Sequence, residues 1–135
     1  MVEVNNQTAA KINAKLFEKL AKVVLKGEGR KEGDISVAIV GTARMRELNR
    51  MYRGKDYPAN VLSFAHEELG LGEIVLCPQV IRKEAIKHGI KEKEAFARMF
   101  VHGLMHLLGY DHEKTEKKAQ AMENKEKHYL SQVTI

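Results

Sequence analysis

The sequence predicts an α+β fold, a single small domain over residues 1–135 with an about four-stranded mixed sheet packed with about five helices. Three observations lead there. Stretches with helical spacing of apolar residues alternate with short stretches of period two. The strand signals are few. No repeat, low-complexity tract or composition shift divides the chain, and with ten Gly and only two Pro, one core explains it.

Residues 2–4 read as a short first strand. Ile12, Leu16, Leu20, Val23 and Val24 then recur at helical spacing up to a stop at Gly27 and Gly29. Over residues 34–40, Ile35, Val37 and Ile39 alternate with Ser36, Ala38 and Val40, a β-branched alternation that argues for a strand. Thr42 is expected to cap a second helix running to Arg53. On it Arg46, Arg50 and Arg53 form a basic stripe, while Met45, Leu48 and Tyr52 form a face expected to be buried. After the loop GKDYPAN, residues 61–64 and 73–77 read as strands, joined through EELGLG by either a hairpin or a crossover. Helices are expected over 79–88, 92–108 and 113–130, the middle one ending at Gly109 as a C′ glycine.

Composition narrows the function classes. Cys77 is the single cysteine, so no internal disulfide is possible, and the polar start of the chain lacks the pattern of a signal peptide. A reducing cytoplasm is the expected location. No apolar run approaches the ~20 residues of a membrane span, and no membrane association is expected. Twenty-three Lys plus Arg against eighteen Asp plus Glu give a net charge of +5, a mild bias toward a polyanionic partner.

The chemistry concentrates in residues 100–112, FVHGLMHLLGYDH. His102 and His106 stand four apart on a helical pattern and so project from one face, where two imidazoles can reach one metal. Gly109 lets the backbone reverse, so that His112 can return as a third ligand from the loop that follows the helix. Three nitrogens suit one Zn2+ ion and leave its fourth position open. That is the mark of a catalytic site, because a water held there is acidified to a pKa of about 7. Asp111 reads either as a residue that orients a histidine or takes a proton, or as a turn residue. His88 and His128 lie at helix ends and are not expected to bind metal. Glu113, Lys114, Glu116, Lys117 and Lys118 read as a solvated face, and Glu126 as a residue able to support the site.

The spacing is similar to H-E-x-x-H-x-x-G-x-x-H of the metzincin peptidases, except that Gly103 stands where those enzymes carry the glutamate base. A longer resemblance covers more of the chain. HGLMHLLGYDH resembles the H-G-x-x-H-L-x-G-Y-D-H signature of the YbeY-type endoribonucleases, or rRNA maturation factors. LNRMYRGKDYPANVLSF and LGEIVLCPQV resemble that family's preceding segments. Ala59 stands where threonine is common, His66 and Cys77 are not family ligands, and residues before 35 match only in general pattern.

The resemblance implies a zinc-dependent, single-strand-preferring endoribonuclease. It would act in 3′-end maturation of small-subunit ribosomal RNA and in ribosome quality control, in association with ribosomal components and not with DNA. It implies His102, His106 and His112 as metal ligands, His102 as essential for catalysis, and Arg53 as the phosphate clamp. A planar guanidinium suits that last task on chemical grounds as well. Asn60 and Ser63, on the strand NVLSF, are candidate substrate contacts, although a buried strand near a site would read the same way. Two other functions fit the residues: a non-catalytic ribosome assembly factor with structural zinc, and a metzincin-like zinc peptidase.

Overall fold

The computed structural model describes residues 1–30, 33–66, 70–111 and 115–135. Its elements run β1 (Val2–Asn6), α1 (Ala14–Gly27), β2 (Ile35–Ile39), α2 (Thr42–Arg53), β3 (Val61–Ala65), β4 (Gly72–Leu76), α3 (Pro78–His88), α4 (Glu92–Leu107) and α5 (Glu116–Ser131). The four strands form one mixed sheet in the order β1-β2-β4-β3. The first three are parallel, with Val4 beside Val37 and Val37 beside Ile74, while β3 lies antiparallel to β4 at the edge. The open question at EELGLG therefore resolves toward antiparallel neighbours, with Ser63 opposite Ile74.

The alternation on β2 decides which helix covers which face. Ile35, Val37 and Ile39, with Ile74 and Leu76 of β4, face the larger core formed by α1 and α4. Phe17 and Phe100 stack there with ring centroids 4.7 Å apart, and each such buried ring contributes roughly 1.5–3 kcal/mol through the apolar area withdrawn from water. The intervening residues Ala38 and Val40, with Val75, Cys77 and Leu62, meet Met45 in a smaller core on the opposite face. Ala59 is buried in that smaller core, so the position where a hydroxyl is common is here part of the packing.

Two local expectations need correction. Thr42 is the first residue of α2 rather than its cap: Gly41 holds the cap position and no side chain bonds there. Tyr52 is not on a buried face. It is 61% exposed: α2 buries Met45 and Asn49 and packs Leu48 partly against the smaller core, and the stripe does not extend to Tyr52. At the other end of the chain, α5 begins at Glu116, with Thr115 as its cap accepting from the Lys118 N–H.

Gly103 owes its place to the packing of α4 on the sheet. A Cβ built there would stand 3.0 Å from Ile74 Cγ2 and 3.1 Å from both Ser63 Oγ and Val61 Cγ2. The Ser63 hydroxyl donates to the Gly103 carbonyl at 2.9 Å, clamping the helix to the edge strand. The histidine face of α4 is set by this contact. No described helix is long and apolar enough to cross a membrane.

Candidate metal centre and its cleft

His102 and His106 lie one turn apart near the C-terminal end of α4. Their Nε2 atoms are 3.1 Å apart, with the rings nearly perpendicular at 84°. Two nitrogens bound to tetrahedral zinc at about 2.0–2.1 Å stand about 3.3 Å from each other, so the pair fits one ion with little movement. The Glu126 carboxylate lies 2.9 Å from His102 Nδ1, an arrangement that keeps the proton on Nδ1 and turns the Nε2 lone pair toward His106. Two lone pairs so close require a proton or a cation between them.

His112 lies outside the described residues. Among those that are described, no three His, Cys, Asp or Glu side chains converge on one point, so the described part of the candidate site is the His102–His106 pair with Glu126 behind it. Leu108 caps α4, and Gly109 follows with φ +97°, a left-handed conformation that reverses the chain at low steric cost. Asp111 is half-buried in the segment that follows.

That segment is tied down by Glu28, the residue that caps α1. Its carboxylate accepts hydrogen bonds from Tyr110 at 2.6 Å, from Lys125 at 3.0 Å and from Tyr129. Burial alone would push the Glu28 carboxyl up, but the bonds from Tyr110, then Tyr129 and Lys125, hold it below its ordinary value. Burial, followed by the bond to Glu28, pushes the Tyr129 phenol up to about 12. The cluster joins α1, the turn before His112, and α5, which also carries Glu126.

A cleft of about 700 Å3 runs over the edge strand. His102 and His106 line one side, Tyr52 and Arg53 another, and residues 60–65 the floor. The two walls come from opposite faces of the sheet, α4 on one and α2 on the other, and they meet because β3 is the last strand.

The remaining residues singled out in the sequence fall as follows. Asn60 lines the cleft, but its side-chain amide reaches both Glu84 carboxylate oxygens at 3.2 Å while its Oδ1 accepts from the Val61 N–H. Ser63 also lines it, with its hydroxyl engaged on Gly103. Arg46 makes a two-pronged bond to Asp56 at 2.9 and 3.0 Å, and its guanidinium holds the Asp56 carboxyl below the usual range. Of the basic stripe, Arg53 is the member that lines the cleft. Cys77 is fully buried, and burial pushes its thiol up, away from the thiolate a metal would need. His128 contacts Gln132.

Of three supporting residues, two carried weak sequence signals. Glu126 interrupts the inward stripe Met122, Glu126, Tyr129 of α5, and an acid on a buried stripe asks for a partner. Glu28 places a negative charge at a helix C-terminus, against the macrodipole. Glu84 gave no signal, since its bond to Asn60 crosses between distant elements.

Fold and cleft define a class: a small α+β domain in which paired histidines and an arginine face one another across a sheet edge. The chain belongs to the family described as Endoribonuclease YbeY, whose family model matches residues 2–134. The match includes the N-terminal part that resembled the family only in general pattern. Relatives named Endoribonuclease YbeY include one from Alkalilimnicola ehrlichii, 43% identical over 109 residues, covering 75% of this chain and 65% of the relative. One from Stenotrophomonas maltophilia is 39% identical, covering 88% and 79%. Another, from Neisseria meningitidis serogroup B, is 40% identical, covering 90% and 78%. The chain thus spans between about two thirds and four fifths of these relatives' lengths. The solution structure of TM1509 from Thermotoga maritima has a similar fold, with a TM-score of 0.67 at 30% identity, covering 96% of this chain and 86% of that one.

Proposed function

We propose that this chain is a zinc-dependent endoribonuclease that prefers single-stranded RNA and acts in small-subunit ribosomal RNA 3′-end maturation and ribosome quality control in the cytoplasm. The observation that carries the chemical part is the His102–His106 nitrogen pair facing Arg53 across the β3 edge. The ribosomal role rests on family resemblance and on the net positive charge.

His102 and His106 would hold the ion through Nε2, with His112 as the third ligand. The ion would supply Lewis acidity and acidify a water. Glu126 keeps the proton on Nδ1 of His102 and fixes the ring's orientation. Arg53 binds the phosphate and stabilises the charge that accumulates on it during cleavage. The attacking oxygen is either a water or the RNA's own 2′-hydroxyl, which is already next to the phosphorus. Position 103 is a glycine with no group able to take a proton, and a side chain there would crowd Ile74, Ser63 and Val61, so the peptidase reading has no base at that position.

The test is cleavage of a defined single-stranded RNA and of its duplex by zinc-loaded protein, beside His102→Ala and Arg53→Ala prepared identically. Cleavage confined to the single strand, lost in both variants, supports the reading. Full cleavage by folded, zinc-free His102→Ala protein defeats it. Zinc-dependent thermal stability with no turnover would leave the assembly-factor reading in its place.

A further inference from the structure

We propose that Tyr52 is a stacking platform for an unpaired nucleobase next to the phosphate that Arg53 holds, and that this platform selects single strands. The assignment rests on the endoribonuclease reading and adds the subsite that reads strandedness.

Of the exposed large apolar side chains among the described residues, Tyr52 is the one that lines the cleft. Tyr52 is 61% exposed, so its ring is open to an occupant of the cleft instead of being spent on core packing. The ring is also pre-oriented. Phe64 of the edge strand meets it edge-on, with centroids 4.9 Å apart and planes at 67°. A base arriving on Tyr52 therefore meets a ring already braced from one side, which reduces the ordering cost of the contact.

The surroundings choose the occupant. Arg53 follows Tyr52 directly at the end of α2 and lines the same cleft, so an occupant meets an aromatic face and a cation side by side. A nucleotide fits that combination, with its base on the ring and its phosphate at the guanidinium. A base in a duplex is stacked on its neighbours and paired, so it reaches the ring only after being extracted; an unpaired base reaches it directly.

The test measures binding of a short fluorescent single-stranded RNA to metal-free protein, so that affinity is read without turnover. Tyr52→Ala is expected to weaken binding roughly 5- to 100-fold, and Tyr52→Phe to stay within about twofold of the parent. Tyr52→Leu, apolar but without a π-face, is expected to resemble the alanine variant. The same RNA carrying an abasic site at each position in turn should contain one position at which parent and Tyr52→Ala bind alike. In zinc-loaded protein, Tyr52→Ala should lose cleavage of the single strand while Tyr52→Phe keeps it. Equal binding by parent and Tyr52→Ala, full recovery in Tyr52→Leu, or no cancelling position would overturn the platform while parent cleavage of RNA upholds the wider reading. A parent protein that neither binds nor cuts RNA overturns both.

Discussion

Glu126 and His102 meet at 2.9 Å although 24 residues separate them in the chain. The contact joins α5 to α4 at the nitrogen that does not face His106, and both side chains are mostly buried, 18% and 25% exposed. A carboxylate in that position raises the basicity of the opposite ring nitrogen and fixes the ring's direction.

Zinc affinity should therefore depend on a residue that never touches the ion. Glu126→Ala is expected to weaken zinc binding about 10- to 100-fold, measured by competition with a chromophoric chelator. Glu126→Gln, whose amide oxygen can still accept from Nδ1, should lose less. Equal affinity in all three proteins would show that the contact does not tune the site.

The two arginines at either end of the stripe should behave differently. Arg53→Ala is expected to reduce RNA cleavage by about 100-fold or more, as loss of a charge-stabilising group does. Arg46→Ala, which breaks only the bond to Asp56, should stay within about twofold of the parent. Comparable losses in both would point to a diffuse basic surface instead of a clamp.

Gly103 offers a stability test that is independent of activity. Gly103→Ala pushes a methyl to 3.0–3.1 Å from Ile74, Ser63 and Val61; such overpacking costs about 1–3 kcal/mol, offset in part by the ~1 kcal/mol that alanine gains over glycine inside a helix. Thermal unfolding should show a lowered midpoint, and Gly103→Glu a much larger loss. An unchanged midpoint in the alanine variant would mean that α4 can lift from the sheet.

The Glu28 cluster makes stability depend on pH at both extremes. The Glu28 carboxyl is depressed on folding, so its contribution is present above the ordinary value of 4.5 and is lost as pH falls through the lower folded value. The Tyr129 phenol is raised from 10.0 to about 12, so its contribution is present below 10 and fades as pH rises toward 12. Denaturant titrations across pH should show both losses reduced in Glu28→Gln, and the alkaline one reduced in Tyr129→Phe. Tyrosinate absorbance should place one phenol near 12 in the parent and none there in Tyr129→Phe.

Much of this architecture was legible because it is local. The period-two pattern at Ile35, Val37 and Ile39 reports a strand whichever helix covers it, and four-residue spacing of His102 and His106 reports a shared helix face. β1 ran to Asn6 rather than Val4 because pairing with Ala38 and Ile39 uses backbone groups and tolerates polar side chains. Tyr52 was misplaced because helical periodicity gives a direction but not how far along the helix the packing extends. The carboxylates behind the site, Glu126 and Glu28, contact partners 24 to 101 residues away, and no window of sequence contains such a pair. Their signal was misfit alone: an acid on a buried stripe, and an acid at the wrong pole of a helix.

The position of β3 at the sheet's edge has a consequence for how the protein behaves in concentrated solution. The Cys77 N–H donates to the Asn60 carbonyl and the His66 N–H to the Leu71 carbonyl, so by the alternation of an antiparallel pair Ser63 and Ala65 turn their backbone groups outward, while the outward Val61 N–H is taken by Asn60 Oδ1. An outward row of that kind is a template for strand addition by another chain. An occupied cleft covers it. Substrate would thus act as a guard against self-association, and the protein emptied of RNA should be the form that aggregates first.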